Sequence, residues 1–161
     1  MTITELALEP TTLAIEQVAS IVSGLAVFQE AVAKYSSDQA RESIYKSYFR
    51  PPDLRIPGPI AVIFELPGST WDRRSDTTVL PKGEIFLHLW LPMNLPDDPE
   101  GEERRFNNFH GQIAKAIADY IGPGFRLIPT ITDPPAHTHP KDQGATQPFW
   151  NVGYTIAWSA F

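Results

Sequence analysis

Four side chains with metal-ligand chemistry fall in one short stretch, Asp133, His137, His139 and Asp142, in a run that also holds Pro134, Pro135 and Pro140. Carboxylate oxygens and imidazole nitrogens are what zinc or a similar ion accepts. Such ligands must be held rigidly, and no helical or strand periodicity fixes them here. A solvated loop is therefore expected and no metal is assigned, while a small metal-dependent enzyme built on residues 133–142 is the alternative the residue types keep open. His88 is a second candidate ligand or base because imidazole titrates near neutrality. It stands between Phe86 and Trp90, where a strand histidine is expected to pack.

Carboxylates cluster at Asp97, Asp98, Glu100, Glu102 and Glu103. Acid and base chemistry by a carboxylate pair needs one member in an apolar pocket, and this run is hydrophilic, so it reads as a solvated linker. Ser69, in Pro67-Gly68-Ser69-Thr70, lacks the flanking pattern of a nucleophile elbow. Neither Pro67-Gly68 nor Gly122-Pro123-Gly124 has the glycine spacing or following lysine of a phosphate loop. No catalytic residue and no cofactor are expected. The run Trp71-Asp72-Arg73-Arg74-Ser75-Asp76 is more suggestive, because an aromatic anchor beside mixed charges is what protein interfaces concentrate. Trp71, Arg73, Arg74 and Asp76 are the candidate partner-contact residues, joined by His88 and Trp90.

The elements that must position these residues are legible from periodicity. In residues 82–92, Ile85, Leu87, Leu89 and Leu91 fall on one face at period two, and Glu84, Phe86, His88 and Trp90 on the other. The first face predicts core. The second is left to a helix, another sheet or a second subunit. Residues 60–66 read as a strand, as do residues 125–131, and Trp150, Val152, Tyr154, Ile156 and Trp158 alternate with polar and small residues in a last one. Residues 67–83 are expected to form a loop or extended hairpin, and residues 132–148 a loop too rich in proline and polar groups to help the core.

Ile15, Val18, Val22, Leu25 and Val32 recur at helical spacing, with Thr11 and Thr12 as expected caps and a break into two helices near Gly24. Residues 35–42 are polar and loosely helical. Ile44, Tyr45, Tyr48 and Phe49 form an aromatic cluster leading to Pro51-Pro52, which makes a short extended piece. Phe106, Phe109, Ile113, Ile117 and Tyr120 give the apolar stripe of a helix over 104–121, stopped by Gly122-Pro123-Gly124. The order predicts a single α+β domain over residues 1–161, with a mainly antiparallel β-sheet packed against N-terminal and central α-helices.

The chain has 161 residues, 42% of them hydrophobic, enough for one sizeable core. A net charge of -6 argues against a dedicated nucleic-acid binder, which concentrates basic charge on one face. With no cysteine, stability is expected to come from packing rather than cross-links. Residues 1–10 carry Glu5 and Glu9 and lack the basic start and apolar run of a signal peptide. No stretch approaches the roughly 20 apolar residues of a membrane span.

The N-terminal helical region, the segment Ser43-Ile44-Tyr45-Lys46-Ser47-Tyr48-Phe49 before a proline-rich turn, the run Pro59-Ile60-Ala61-Val62-Ile63-Phe64-Glu65-Leu66, the 84–91 strand, the 104–121 helix and the alternating last strand come in an order that resembles phage tail terminator and minor tail proteins. The resemblance implies a homo-oligomeric ring, commonly a hexamer, that caps the tail tube, ends its polymerisation and contributes to head–tail joining. The implied partners are the tail tube protein and the head–tail connector protein, with no nucleic-acid sequence readout and no membrane. The implied location is the virion tail, and the host cytoplasm during assembly. Loop 67–83 is the expected first contact region and loop 132–148 the second. A third reading is a monomeric binding domain whose groove is lined by Phe86 and Trp90 with Trp150 or Trp158.

Overall fold

Thr11, Ala14, Ile15, Val18, Ala19 and Val22 are all buried and lie on one face of helix α1, Pro10–Ser23. The computed structural model describes residues 10–47, 60–66, 70–73, 79–93, 97–122, 125–138 and 149–160. Thr11 and Thr12 lie inside the first turn of α1 rather than capping it. The break expected near Gly24 is present: helix α2, Ala26–Val32, is bent by 78° from α1. Its end is a Schellman turn on an alanine. Ala33 adopts φ 53°, its N–H donates to the Glu30 carbonyl at 3.2 Å, and the Lys34 N–H donates to that of Gln29 at 3.0 Å. Helix α3, Ser37–Arg41, is capped by Ser36, whose hydroxyl accepts from the Gln39 N–H at 3.3 Å.

Glu16 ties these helices to the sheet. Its carboxylate accepts from Arg41 at 2.5 Å and from Lys46 at 2.7 Å. Lys46 belongs to β1, Ile44–Ser47, so one side chain on α1 joins α3 and the first strand.

The strands β1, β2 (Ile60–Glu65), β3 (Thr70–Arg73), β4 (Val79–Pro92), β5 (Phe125–Thr138) and β6 (Phe149–Ala160) form one mixed sheet in the order β1-β2-β4-β6-β5, with β3 also paired to β4. Among the described strands only β1 and β2 pair in parallel; the other pairings are antiparallel. With the helices, this is the α+β architecture that the element order predicts. The central strand begins at Val79, earlier than its alternation alone indicates, because its first residues pair with β3 in a hairpin.

Ile85, Leu87, Leu89 and Leu91 of β4, Ala61 and Ile63 of β2, and Val152, Tyr154, Ile156 and Trp158 of β6 join the α1 stripe in one core. Helix α4, Pro99–Ala118, adds Phe106, Phe109, Ile113 and Ile117. At ~25 cal/mol per Å² of apolar surface buried, this layer is the largest favourable contribution to folding.

Two expectations are corrected here. Helix α4 starts at Pro99, so Glu100, Glu102 and Glu103 belong to a helix and not to a solvated linker. The Asp98 carboxylate accepts from the Gly101 N–H at 3.1 Å and Pro99 occupies the first turn, where its missing N–H costs nothing. Strand β5 runs on to Thr138, so residues 132–138 are sheet and not loop. Register shifts between Ile131 and Asp133, and between Asp133 and Ala136, absorb Pro134 and Pro135 while the pairing with β6 resumes beyond them.

Candidate functional site

At Lys82 the central strand has two neighbours, Thr70 of β3 and Ser159 of β6, so β3 lies along the same edge of β4 as β2. From Val79 to Pro81, β4 pairs with β3 alone. The β3–β4 hairpin therefore runs past the last residue pair between β4 and β6. Trp71 and Arg73 are on its outer strand, opposite Pro81 and Val79. Arg74 and Asp76 lie outside the described residues. Among the described residues, β3 borders no further strand on its outer side, and β5 is the long edge at the opposite side of the sheet.

His88 and Trp90 lie on the sheet face turned away from the helices. A ladder of rings runs along it: Phe64 to Phe86 at 5.1 Å, Phe86 to His88 at 5.9 Å, His88 to Trp90 at 4.5 Å and Trp90 to Phe149 at 4.7 Å. Val62, Trp90 and Phe149 are buried and form a second, smaller apolar cluster. Contacts between such offset rings contribute about 0.5–1.5 kcal/mol each beyond area burial. The sequence places Trp90 and His88 on this face, and the structure packs them against their own chain.

Gly153 of β6 lies directly between His88 of β4 and Asp133 of β5 in the register. Its missing side chain leaves a gap that Asp133 and Phe86 close from either side. Burial pushes the His88 imidazole below its ordinary range; the Asn151 side chain and the charge of Asp133 act in the opposite direction. His88 Nε2 and Trp90 Nε1 are enclosed and have no hydrogen-bond partner among the described residues. Neutral imidazole suits that surrounding, because a protonated ring would put an N–H on Nε2, where no acceptor among the described residues meets it.

Of the four ligand-type residues in the 133–142 stretch, Asp133 and His137 are described. The register splits them between faces. Asp133 lies over Gly153, whereas His137 lies beside Trp150 on the helix side, with ring centroids 5.6 Å apart. His139 and Asp142 fall outside the described residues. Among the described residues, no group of three or more His, Asp or Glu side chains is placed to hold a metal ion.

Sequence reasoning passes over one of the four histidines, His110. His110 of α4 is 7% exposed and holds the helix to the sheet: Nδ1 is 2.6 Å from the Tyr154 hydroxyl and Nε2 is 3.1 Å from Asn107 Oδ1. Burial lowers the pKa of His110 and raises that of Tyr154. Phe106 and Tyr154 flank the imidazole, and Trp150 stacks on Phe106 at 5.8 Å. Nothing local in the sequence announces the pair, since 44 residues separate its members.

Among the described residues, no single helix is long and apolar enough to cross a membrane. No family model matches the sequence, and no curated protein gives a significant match to it.

Proposed function

We propose that the chain is a structural tail protein of a phage or prophage that assembles into a ring at the end of the tail tube, stops tube polymerisation and contributes to head–tail joining. The observation that carries this reading is the β3–β4 hairpin. It extends beyond the body of the sheet, with Trp71 and Arg73 on a strand that borders no other described strand. Open strand edges are templates for pairing with another chain, and natural monomers keep them short, charged or covered. An extended hairpin supplies that template, and its Trp and Arg residues supply an aromatic and charged contact.

In this reading the hairpin meets a neighbouring copy or the tube, and β5 offers the opposite edge. Pro129, Pro134 and Pro135 of β5 have no N–H to offer a further strand, which limits unspecific pairing there. Charge on the hairpin selects the tail tube and connector partners and steers their encounter more than it sets raw affinity. The protein works in the virion tail, having assembled in the host cytoplasm.

The test is complementation of tail assembly by a chain carrying Arg73→Glu and Arg74→Glu. The expected result is tails of unregulated length that fail to join heads, from a chain that still folds by circular dichroism. Normal tails would overturn the assignment of the hairpin. Light scattering of the purified wild-type chain, alone and with tube ends added, separates a ring from a monomeric binding domain.

A further inference from the structure

We propose that His110 and Tyr154 form an acid-released clasp, in which the neutral imidazole locks α4 onto β6 and its protonation lets the helix lift from the sheet. The geometry assigns the protons. Asn107 Oδ1 accepts only, so Nε2 carries the hydrogen of the neutral ring, and Nδ1 presents its lone pair to the Tyr154 O–H at 2.6 Å. Protonation places a second N–H on Nδ1, opposite that hydroxyl. Two donors cannot share so short a contact, and the tyrosine must turn its proton elsewhere. Tyr154 is only 4% exposed, and His110 is its sole hydrogen-bond partner among the described residues. One side of the clasp is then left with an enclosed donor and no acceptor.

The groups that face His110 are Tyr154 from β6 and Asn107 and Phe106 from its own helix. Among the described residues no carboxylate is ion-paired or hydrogen-bonded to it, so nothing there offsets an added positive charge. His88, on the reverse face at the neighbouring residue of β6, provides the contrast. The groups that face it are Phe86 and Trp90 from its own strand, Asn151 from β6 and Asp133 from β5, and the Asp133 charge favours the protonated ring. Burial lowers the pKa of both rings, so acid costs stability at either. What is assigned to His110 alone is the release of α4 relative to α1.

Hydrogen exchange read by mass spectrometry on the intact chain tests this, with α4 compared with α1 in the same sample and corrected for the intrinsic pH dependence of exchange. Between about pH 7.5 and about pH 5, where an ordinary imidazole gains its proton, α4 protection is expected to fall relative to α1. The expected loss is about five- to thirtyfold: the lower figure is the equilibrium effect of one buried donor left unmade, and the upper is the linkage limit for one imidazole of ordinary pKa at about pH 5. In His110→Gln, which cannot gain that charge, the α4-to-α1 ratio is expected to hold across the same range. In His88→Gln the wild-type response is expected to persist. A wild-type α4 indifferent to acid, or a His110→Gln chain that responds as wild type does, overturns the proposal. Should His110→Gln not fold, proton NMR of the wild-type histidines decides. The expected result is that one ring titrates below the ordinary range together with α4 resonances, and titration without any α4 change counts against the clasp.

Discussion

Asp133 of β5 leans over the α-carbon of Gly153 in β6, so that a Cβ built on the glycine would stand 2.9 Å from the Asp133 Cβ. The same added carbon would be 2.4 Å from Cζ of Phe86, arriving from β4. On the ring-lined face β6 therefore has no room for a side chain at this point, and its neighbours meet across the gap. Gly153→Ala forces the Phe86 ring and the bulged part of β5 to move. The expected loss is about 1–3 kcal/mol, the usual cost of overpacking, read as a lower urea midpoint with an unchanged slope. Alanine tolerated without loss would show that β5 shifts freely.

His88 should titrate below the ordinary histidine range, since burial is the largest influence on it and outweighs Asn151 and Asp133. Asp133→Asn removes a charge that favours the protonated ring, so it lowers the value further. The sign for stability follows from linkage: a folded pKa below the unfolded value of about 6.5 means the unfolded chain takes up the proton first. Above that pH the group contributes no penalty. As pH falls below it, stability declines until the folded ring is also protonated. Proton NMR titration of both chains checks the order, and a His88 value that rises in Asp133→Asn contradicts the geometry.

The parts of this fold that were legible in sequence are those where one residue type repeats on one face. The alternation in β4 and β6 and the 106, 109, 113, 117 stripe of α4 each report burial directly. Prolines mislead at Pro134-Pro135, because a bulge accommodates what a regular strand would reject. The acidic run mislead in the same way. Glu102 continues the α4 stripe one turn before Phe106, yet a carboxylate at that place reads as solvent-facing. Arg105, three residues on, pairs with it at 2.9 Å. At the sheet centre, His88 was visible as a strand residue, but its meeting with Asp133 depends on register across β6, and His110 meets Tyr154 only in three dimensions.

Ala33 holds a left-handed backbone that alanine disfavours, with φ 53°, at the position where helices most often place glycine. The side chain is exposed and does not contribute to the core. Ala33→Gly should therefore stabilise the chain by about 0.5–1 kcal/mol, relief of the Cβ strain exceeding the added freedom of the unfolded state. A thermal melt reads this as a higher midpoint. A lower one would mean that α2 does not end in the Schellman turn.

Arg105 joins the end of β4 to the second turn of α4. Its guanidinium donates to the Pro92 carbonyl at 2.6 Å and to Glu102 at 2.9 Å and 3.3 Å, while Glu102 is 1% exposed. Arg105→Ala leaves a buried carboxylate without its guanidinium and the Pro92 carbonyl without this donor, at an expected cost of about 1–3 kcal/mol. Arg105 is itself about one-third exposed, so solvent screens part of the attraction and the effect stays below that of a fully enclosed pair. Adding Glu102→Gln removes the charge whose guanidinium partner the first change takes away. The double variant should accordingly be more stable than Arg105→Ala alone, a coupling that a double-mutant cycle in urea measures directly. Additive losses would mean that Glu102 is held by its other contacts and that Arg105 serves the Pro92 carbonyl alone.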